Sequence, residues 1–301
     1  MTAGIVIIGR NEGARLETCL RFALHEADLV VYVDSGSIDN SVSLAREMGA
    51  NVVELDPGLR FTAARARNEG FRFMLARAPN IVFVQFVDGD CQLVPGWVAR
   101  ATAFLAAHPD VAVTCGRLRE RHPGASVYNR LCDIEWDAPA GESKACGGIA
   151  LVRREAFEQV GGYRDDLIAG EEPELCVRLR SRGWSVWRIP DEMALHDADI
   201  SRFGQWWKRC VRAGHAFAEG AFLHGRGPER HWVREVRSAW FWTLGLPAAV
   251  LAGWVALGPV AAFVLGVYPL QVFRIAVRGT RSARDNWTRA MFLVLGKFPE
   301  L

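Results

Sequence analysis

"IVFVQFVDGDCQLVPGW", residues 81–97, is the stretch on which the fold turns. Ile81 to Val87 is apolar except for Gln85 and rich in β-branched and aromatic residues, which reads as a strand covered on both faces. The run then breaks at Asp88-Gly89-Asp90. Residues i and i+2 of an extended segment project to the same side, so Asp88 and Asp90 reach into one cleft. Gly89 between them permits close backbone approach. Two like charges so near each other repel unless a cation or hydroxyl donors compensate. A hard divalent ion, Mg²⁺ or Mn²⁺, suits such a site, because it takes oxygen ligands and few of them from protein. A capped turn before "LVPGW" is the plain alternative.

On the N-terminal side the same pattern repeats. "GIVIIG" (4–9), "LVVYV" (29–33) and "NVVEL" (51–55) are short strand-like runs. In "EGARLETCLRFALHEA", Leu16, Cys19, Leu20, Ala23 and Leu24 share one helical face, and "AARARNEGFRFMLARA" is a second helix candidate. Alternating apolar strands and helices predict an α/β fold with a mainly parallel sheet and helices on both faces. In such sheets ligands bind beyond the carboxyl ends of the strands. A polar cluster follows each run: "GRNE", "DSGSID", "DPG" and "DGD". One such cluster is an ordinary turn, whereas four on one sheet edge outline a site.

Bulk composition narrows the class. Lys plus Arg number 36 against 34 Asp plus Glu, a balance that excludes nucleic-acid binding by bulk charge. The seven cysteines are scattered without a C-x-x-C pair, as expected of free thiols in a reducing compartment. The start "MTAGIVIIGRNE" lacks the basic n-region of a signal peptide, so none is expected.

Five segments, in order, resemble the motifs of family 2 glycosyltransferases with the Rossmann-like GT-A fold. "VDSGSIDNSV" (33–42) resembles V-D-D-G-S-T-D-x-T, "ARNEG" (66–70) matches A-R-N-x-G, and "VDGD" (87–90) matches the D-x-D motif. "GGIALVRREAFEQVGGY" (147–163) and "GEEPELCVRLRSRGW" (170–184) resemble the family's G-G…R-R…G-G-Y/F and G-E-D-x-D/E-L segments. The resemblance covers roughly residues 4–200 and implies an inverting enzyme that uses a divalent metal and a nucleotide-sugar donor, usually UDP-linked. It places Asp34 at the uracil and ribose; the family's second Asp is Ser35 here. Asp39 matches the later Asp of that segment, with a helix cap as an equal alternative. Arg67 and Asn68 fall near the donor, with Arg67 offering its fork of N–H groups to the diphosphate. Asp88 contacts ribose or metal, and Asp90 ligates the metal directly. His196, after "SVWRI", completes the metal site. Gly147 and Gly148 let backbone approach sugar or acceptor.

An inverting transfer needs a base for the acceptor hydroxyl. The family's Asp is Glu172 in this chain. Pro173 suits the first position of a helix that runs to Gly183, so Glu172 falls at its cap, facing the cleft. Glu172 is favoured over its neighbour Glu171. Glu174 has the simpler role of a favourable charge in the first helical turn.

The rest of the chain changes character. "RFGQWWKRCVRAGHAFAEG" (202–220) suits an interfacial helix, with Trp206 and Trp207 at headgroup depth and Lys208, Arg209 and Arg212 on phosphates. From Ser238 to Phe273 there are 36 residues without Asp, Glu, Lys or Arg, divided by the turn pair Gly258-Pro259. Two segments near the length of a membrane span, with arginines on both flanks, predict a hairpin in the cytoplasmic membrane with the catalytic domain facing the cytoplasm. The expected organisation is a GT-A catalytic domain at 1–200, an interfacial linker at 201–237, a transmembrane or re-entrant hairpin at 238–278 and an amphipathic tail at 279–301. The expected partners are membrane lipid and a lipid or lipid-linked acceptor. Two other readings are open: a nucleotidyltransferase on sugar phosphates, and a non-catalytic, membrane-anchored nucleotide-sugar binding protein.

Overall fold

The structure is a computed structural model that describes residues 2–301. The chain divides into two compact units, one comprising residues up to His122 with Glu135–Asp199, the other Pro123–Ile134 with Ile200–Leu301.

The first unit is built on one sheet. Its strands are β1 (Ala3–Gly9), β2 (Val30–Asp34), β3 (Asn51–Glu54), β4 (Phe83–Asp88), β5 (Cys91–Leu93), β6 (Val111–Glu120), β7 (Gly141–Glu142), β8 (Ala150–Arg153) and β9 (Ser185–His196). The order is β3-β2-β1-β4-β8-β6-β9-β5, with β7 on β9. The first four strands are parallel neighbours, each joined by the helical crossover that parallel pairing requires: α1 (Ala14–Glu26), α2 (Ser41–Glu47) and α3 (Ala63–Arg77). Beyond β4 the sheet is mixed. β8 runs antiparallel to both β4 and β6, β9 is parallel to β6, and β5 is antiparallel to β9. The α/β class is therefore the expected one, with parallel pairing concentrated in the N-terminal half.

Burial follows the sequence pattern. Ile5, Val6 and Ile7 of β1 and Phe83, Phe86 and Val87 of β4 are fully buried. The one polar side chain inside β4, Gln85, is satisfied, since its Oε1 accepts from Trp97 Nε1 at 2.8 Å and its Nε2 donates to the Phe86 carbonyl. Leu16, Cys19, Leu20 and Ala23 form the buried face of α1. Helix α3 is capped by Thr62, whose side chain accepts from Arg65 N. It lies unusually close to β1 and β2, because a Cβ at Gly70 would stand 2.4 Å from Val6 Cγ1 and 2.8 Å from Val33 Cγ2. More unusually for a surface helix, α3 buries two charged side chains, Arg65 and Arg67. Arg65 donates to the carbonyls of Asp56, Leu59 and Arg60 and so holds the loop after β3. The remaining helices of this unit are α4 (Trp97–Ala107), α6 (Arg154–Gln159) and α7 (Glu171–Ser181); α5 (Val127–Trp136) begins in the second unit and ends in the first. Helix α7 starts two residues before the expected Pro173, because Gly170 takes a left-handed φ of 79° and caps it.

The second unit is helical: the first turns of α5, then α8 (Phe203–His224), α9 (Val233–Trp240), α10 (Leu246–Leu257), α11 (Val267–Val277) and α12 (Ala283–Leu295). A π-helical turn, Phe241–Gly245, runs α9 into α10, and a 3₁₀ stretch, Gly258–Gly266, leads into α11. Two helical segments are long and apolar enough to cross a membrane, Val233–Val255 (23 residues) and Gly258–Val277 (20 residues). Their side chains are largely exposed, with Leu251, Val255, Phe263 and Leu270 each more than half accessible. Arg130 grips Asp285 through two bonds, Nε to Oδ1 at 3.0 Å and Nη2 to Oδ2 at 2.7 Å, and these hold the Asp285 carboxyl down at about 2. One expectation for α8 fails. Trp206 is buried, stacked edge-on against Phe292 at 4.9 Å, because its face of the helix packs on α12; Lys208 and Arg212 remain exposed.

Candidate active site

At the carboxyl edge of the sheet, a single buried arginine organises three carboxylates. Arg67 projects from α3 and is 2% exposed. Its Nη1 donates to Glu171 Oε1 at 2.8 Å, and its Nη2 to Asp88 Oδ1 at 2.9 Å, with Glu172 Oε1 at 3.2 Å. Burial alone would lower the pKa of the guanidinium; Asp88, Glu172 and Glu171 more than reverse this and raise it well above its ordinary value. One positive charge facing three negative ones leaves the cluster short of cation. The shortfall falls on Glu172. Burial, and after it the Glu171 charge, push its carboxyl up to about 7 against the pull of Arg67, with Asp88 adding to the rise. Glu172 is also the more open of the two glutamates, its side chain 19% exposed against 7% for Glu171. A partly exposed carboxyl that exchanges its proton near neutral pH has the properties of a general base.

The cluster closes around Gly148. A Cβ there would lie 2.4 Å from Arg67 Nη2, 2.8 Å from Asp88 Oδ2 and 3.0 Å from Glu172 Oε1, so any side chain would wedge the three apart. Gly147 faces open space. Both glycines line a cavity of about 250 Å³ that also takes in Asp88, Trp136, Arg188 and His196.

Beside this cluster the hairpin-like return of the chain builds a second arrangement. Strand β5 pairs with β9 so that Cys91 stands opposite His196. This places Asp90 Oδ2 3.5 Å from His196 Nε2, too long for a strong hydrogen bond. His196 Nδ1 is buried without a hydrogen-bond partner, and the ring packs on Trp136 at 4.7 Å. Burial raises the Asp90 carboxyl, His196 pulls it back and Asp88 pushes it up again. Ligand atoms of Asp90, Cys91 and His196 all lie within 4.8 Å of one another. Burial drives the Cys91 thiol well above its ordinary range, so it stays protonated. A carboxylate oxygen facing an imidazole nitrogen at 3.5 Å fits a divalent ion better than it fits a direct hydrogen bond.

Other expected residues have partners within the protein itself. The Asp34 carboxylate accepts from Tyr32 Oη, Gly36 N, Ser37 N and Ser37 Oγ, at 2.5 to 3.0 Å, and is buried within its own loop. Asp39 is exposed and accepts from Ser41 N at 3.0 Å at the start of α2; the Ser41 bonds lower its pKa. Asn68 is buried and clamps the backbone of Tyr163: Nδ2 donates to the Tyr163 carbonyl at 2.7 Å and Oδ1 accepts from Tyr163 N at 3.0 Å. Glu174 receives Arg178 through three bonds of 2.7 to 2.9 Å. Glu12, outside the expected set, leans on the Asp88–Asp90 turn, since a Cβ at Gly89 would meet its Cγ at 3.0 Å. Burial raises its carboxyl, with Asp90 and Asp88 adding to the rise against Arg15. Its position in "GRNE", after the first strand, was the available signal.

The chain resembles known proteins over most of its length. Residues 4–161 match the family described as Glycosyl transferase family 2. Glycosyltransferase AglE of Haloferax volcanii is 23% identical over 223 residues, which span 70% of this chain and 71% of that protein. The mannosyltransferase PcManGT from Pyrobaculum calidifontis, solved with GDP-Man and Mn²⁺, superposes with a TM-score of 0.61 at 20% identity, covering 97% of this chain and 85% of that one. S. aureus TarS 1–349, solved with UDP-GlcNAc, gives a TM-score of 0.54 at 15% identity, covering 98% and 90%. These structural likenesses show the shared GT-A-like fold. With more than half its length matched to the family, the chain belongs to glycosyl transferase family 2 and is an enzyme of that class, a glycosyltransferase.

Proposed function

We propose that the enzyme is a membrane-anchored, inverting glycosyltransferase that moves a sugar from a nucleoside-diphosphate donor, UDP-linked, to a hydroxyl of a lipid or lipid-linked acceptor. The observation that carries this reading is the Arg67 cluster, which holds Asp88, Glu171 and Glu172 beside a cavity lined by Asp88 and Gly148. Glu172 accepts the proton of the acceptor hydroxyl. The oxygen so released attacks the anomeric carbon on the face opposite the leaving diphosphate, and the configuration inverts. A carboxyl pushed up to about 7 is matched to this task, being ionised often enough to act and basic enough to hold the proton. Arg67 fixes the three carboxylates in place and is not free to grip the diphosphate, so its role is positioning.

Asp90 and His196, with Asp88 alongside, are the residues to hold Mn²⁺ or Mg²⁺; the 3.5 Å gap between Asp90 Oδ2 and His196 Nε2 supports this. Such an ion supplies positive charge that stabilises the departing diphosphate more in the transition state than in the ground state. The solved relatives carrying GDP-Man with Mn²⁺ and UDP-GlcNAc support the donor and metal classes. The UDP assignment rests on the 33–42 segment. There Asp34 acts by shaping the loop, and Asp39 by starting the helix behind it. Gly147 keeps open the wall where sugar and acceptor meet, and Asn68 holds the Gly161–Tyr163 turn against α3.

The membrane half of the proposal rests on Val233–Val255 and Gly258–Val277, which form the hairpin of the 238–278 segment. Arginines on both flanks support a cytoplasmic side for its ends and for the catalytic unit. The lipid-linked acceptor follows from that anchorage.

The test is a panel of nucleotide-sugars assayed for slow nucleotide release with Mn²⁺ and with chelator. One donor is expected to be hydrolysed only with metal, and Asp90→Ala is expected to remove that dependence together with the activity. Undiminished release in chelator would exclude the metal role.

A further inference from the structure

The second unit holds a cavity of about 460 Å³ at the start of the Val233–Val255 helix. Arg234, Arg237, Phe241 and Trp242 line it from that helix. Arg234, Arg237 and Phe241 recur at three- and four-residue intervals and so share one helical face, with Trp242 at its flank. Lys297 completes the lining from the other side. It is held there because Thr243 Oγ1 donates to its carbonyl at 2.7 Å, while its ammonium pairs with Glu300. The π-helical turn Phe241–Gly245 falls at this point, and the Trp242 carbonyl freed within it accepts from Tyr268 Oη. Arg234 and Arg237 are exposed, and the lining carries one carboxylate, Glu235, against three cations.

Two exposed arginines beside two aromatic rings, at the mouth of a 23-residue apolar helix, match the layering of one lipid molecule. We propose that this cavity binds the phosphate of an anionic phospholipid headgroup. Arg234 and Arg237 face the phosphate, Phe241 and Trp242 lie at the level of the ester groups, and the acyl chains follow the exposed Leu244, Leu251 and Val255. The site deepens the membrane reading and rests on it, because the acyl chains need the helix to be embedded.

The experiment uses the full chain. Flotation with vesicles of phosphatidylcholine alone tests embedding. Binding of short-chain phosphatidylglycerol is then measured in neutral detergent, with short-chain phosphatidylcholine and inorganic phosphate as parallel arms. Each cation removed near a headgroup phosphate costs about five-fold in affinity, so Arg234→Gln/Arg237→Gln is expected to bind phosphatidylglycerol roughly 25-fold more weakly. Arg274→Gln/Arg278→Gln, an equal change of charge outside the cavity, is expected to bind as the wild type does. Both pairs lie at exposed positions, and unchanged melting without lipid verifies folding. Equal losses in the two double variants would reduce the effect to bulk charge and overturn the site. Displacement of the lipid by inorganic phosphate at matching concentration would mark a free-anion site and overturn it too. Flotation without preference for phosphatidylglycerol would sink the cavity alone, whereas failure to float would sink the membrane reading and the cavity with it.

Discussion

Replacing Glu172 by Gln separates chemistry from stability in a way that few other substitutions do. The native carboxyl is pushed up to about 7, against an ordinary value of 4.5. That difference of about 2.5 pH units corresponds to ~3 kcal/mol of strain carried by the folded state once Glu172 is ionised. The sign follows from proton binding. Between the unfolded and folded pKa values the native protein binds more protons than the unfolded chain, so stability falls as pH rises from about 4.5 to 7 and stays low above that. Gln keeps the shape and an oxygen for Arg67 but carries no charge. Glu172→Gln is therefore expected to abolish sugar transfer while raising the melting temperature at pH 8 by several degrees, with the gain shrinking towards pH 5. Thermal unfolding in detergent from pH 5 to 8, beside a turnover assay, reads both effects. A gain independent of pH would refute the charge argument, and retained turnover would refute the role of Glu172.

The other perturbations act on the same framework. Arg67→Met leaves three carboxylates, Glu171 among them buried, without their cation and is expected to cost roughly 3–5 kcal/mol in denaturant titrations, together with all activity. Gly148→Ala puts a methyl 2.4 Å from Arg67 Nη2 and is expected to destroy transfer in the same turnover assay. Asn68→Ala unpairs two backbone groups of Tyr163 and is expected to lower stability by about 1–3 kcal/mol, leaving metal affinity unchanged in a calorimetric titration.

Local chemistry was legible in the sequence; long-range pairing was not. The buried face of α1 and the strands β1 to β4 follow from spacing and residue type, because neighbours three, four or two positions apart decide them. The close carboxylates at Asp88 and Asp90 were likewise visible as a strand that ends on charge. What Arg67 and Asn68 do was not visible, since Glu171 lies 104 residues from Arg67 and Tyr163 lies 95 from Asn68. Nothing in "ARNEG" says that its arginine is buried rather than solvated, or that its asparagine bonds to a distant backbone. Asp34 shows the opposite case. Its partners are two and three residues away, and "DSGS" is a pattern in which an aspartate closes its own turn. The antiparallel half of the sheet escaped because a strand of four residues, as in β8, carries no directional signal.

The centre of the account is that one arginine facing three carboxylates leaves Glu172 as the proton acceptor. The pH dependence of turnover at saturating donor tests this most directly. The wild type should show an ascending limb with its midpoint near 7, and removing the Glu171 charge in Glu171→Gln should move that midpoint to lower pH. A limb that stays where it is in Glu171→Gln, or that survives in Glu172→Gln, would contradict it.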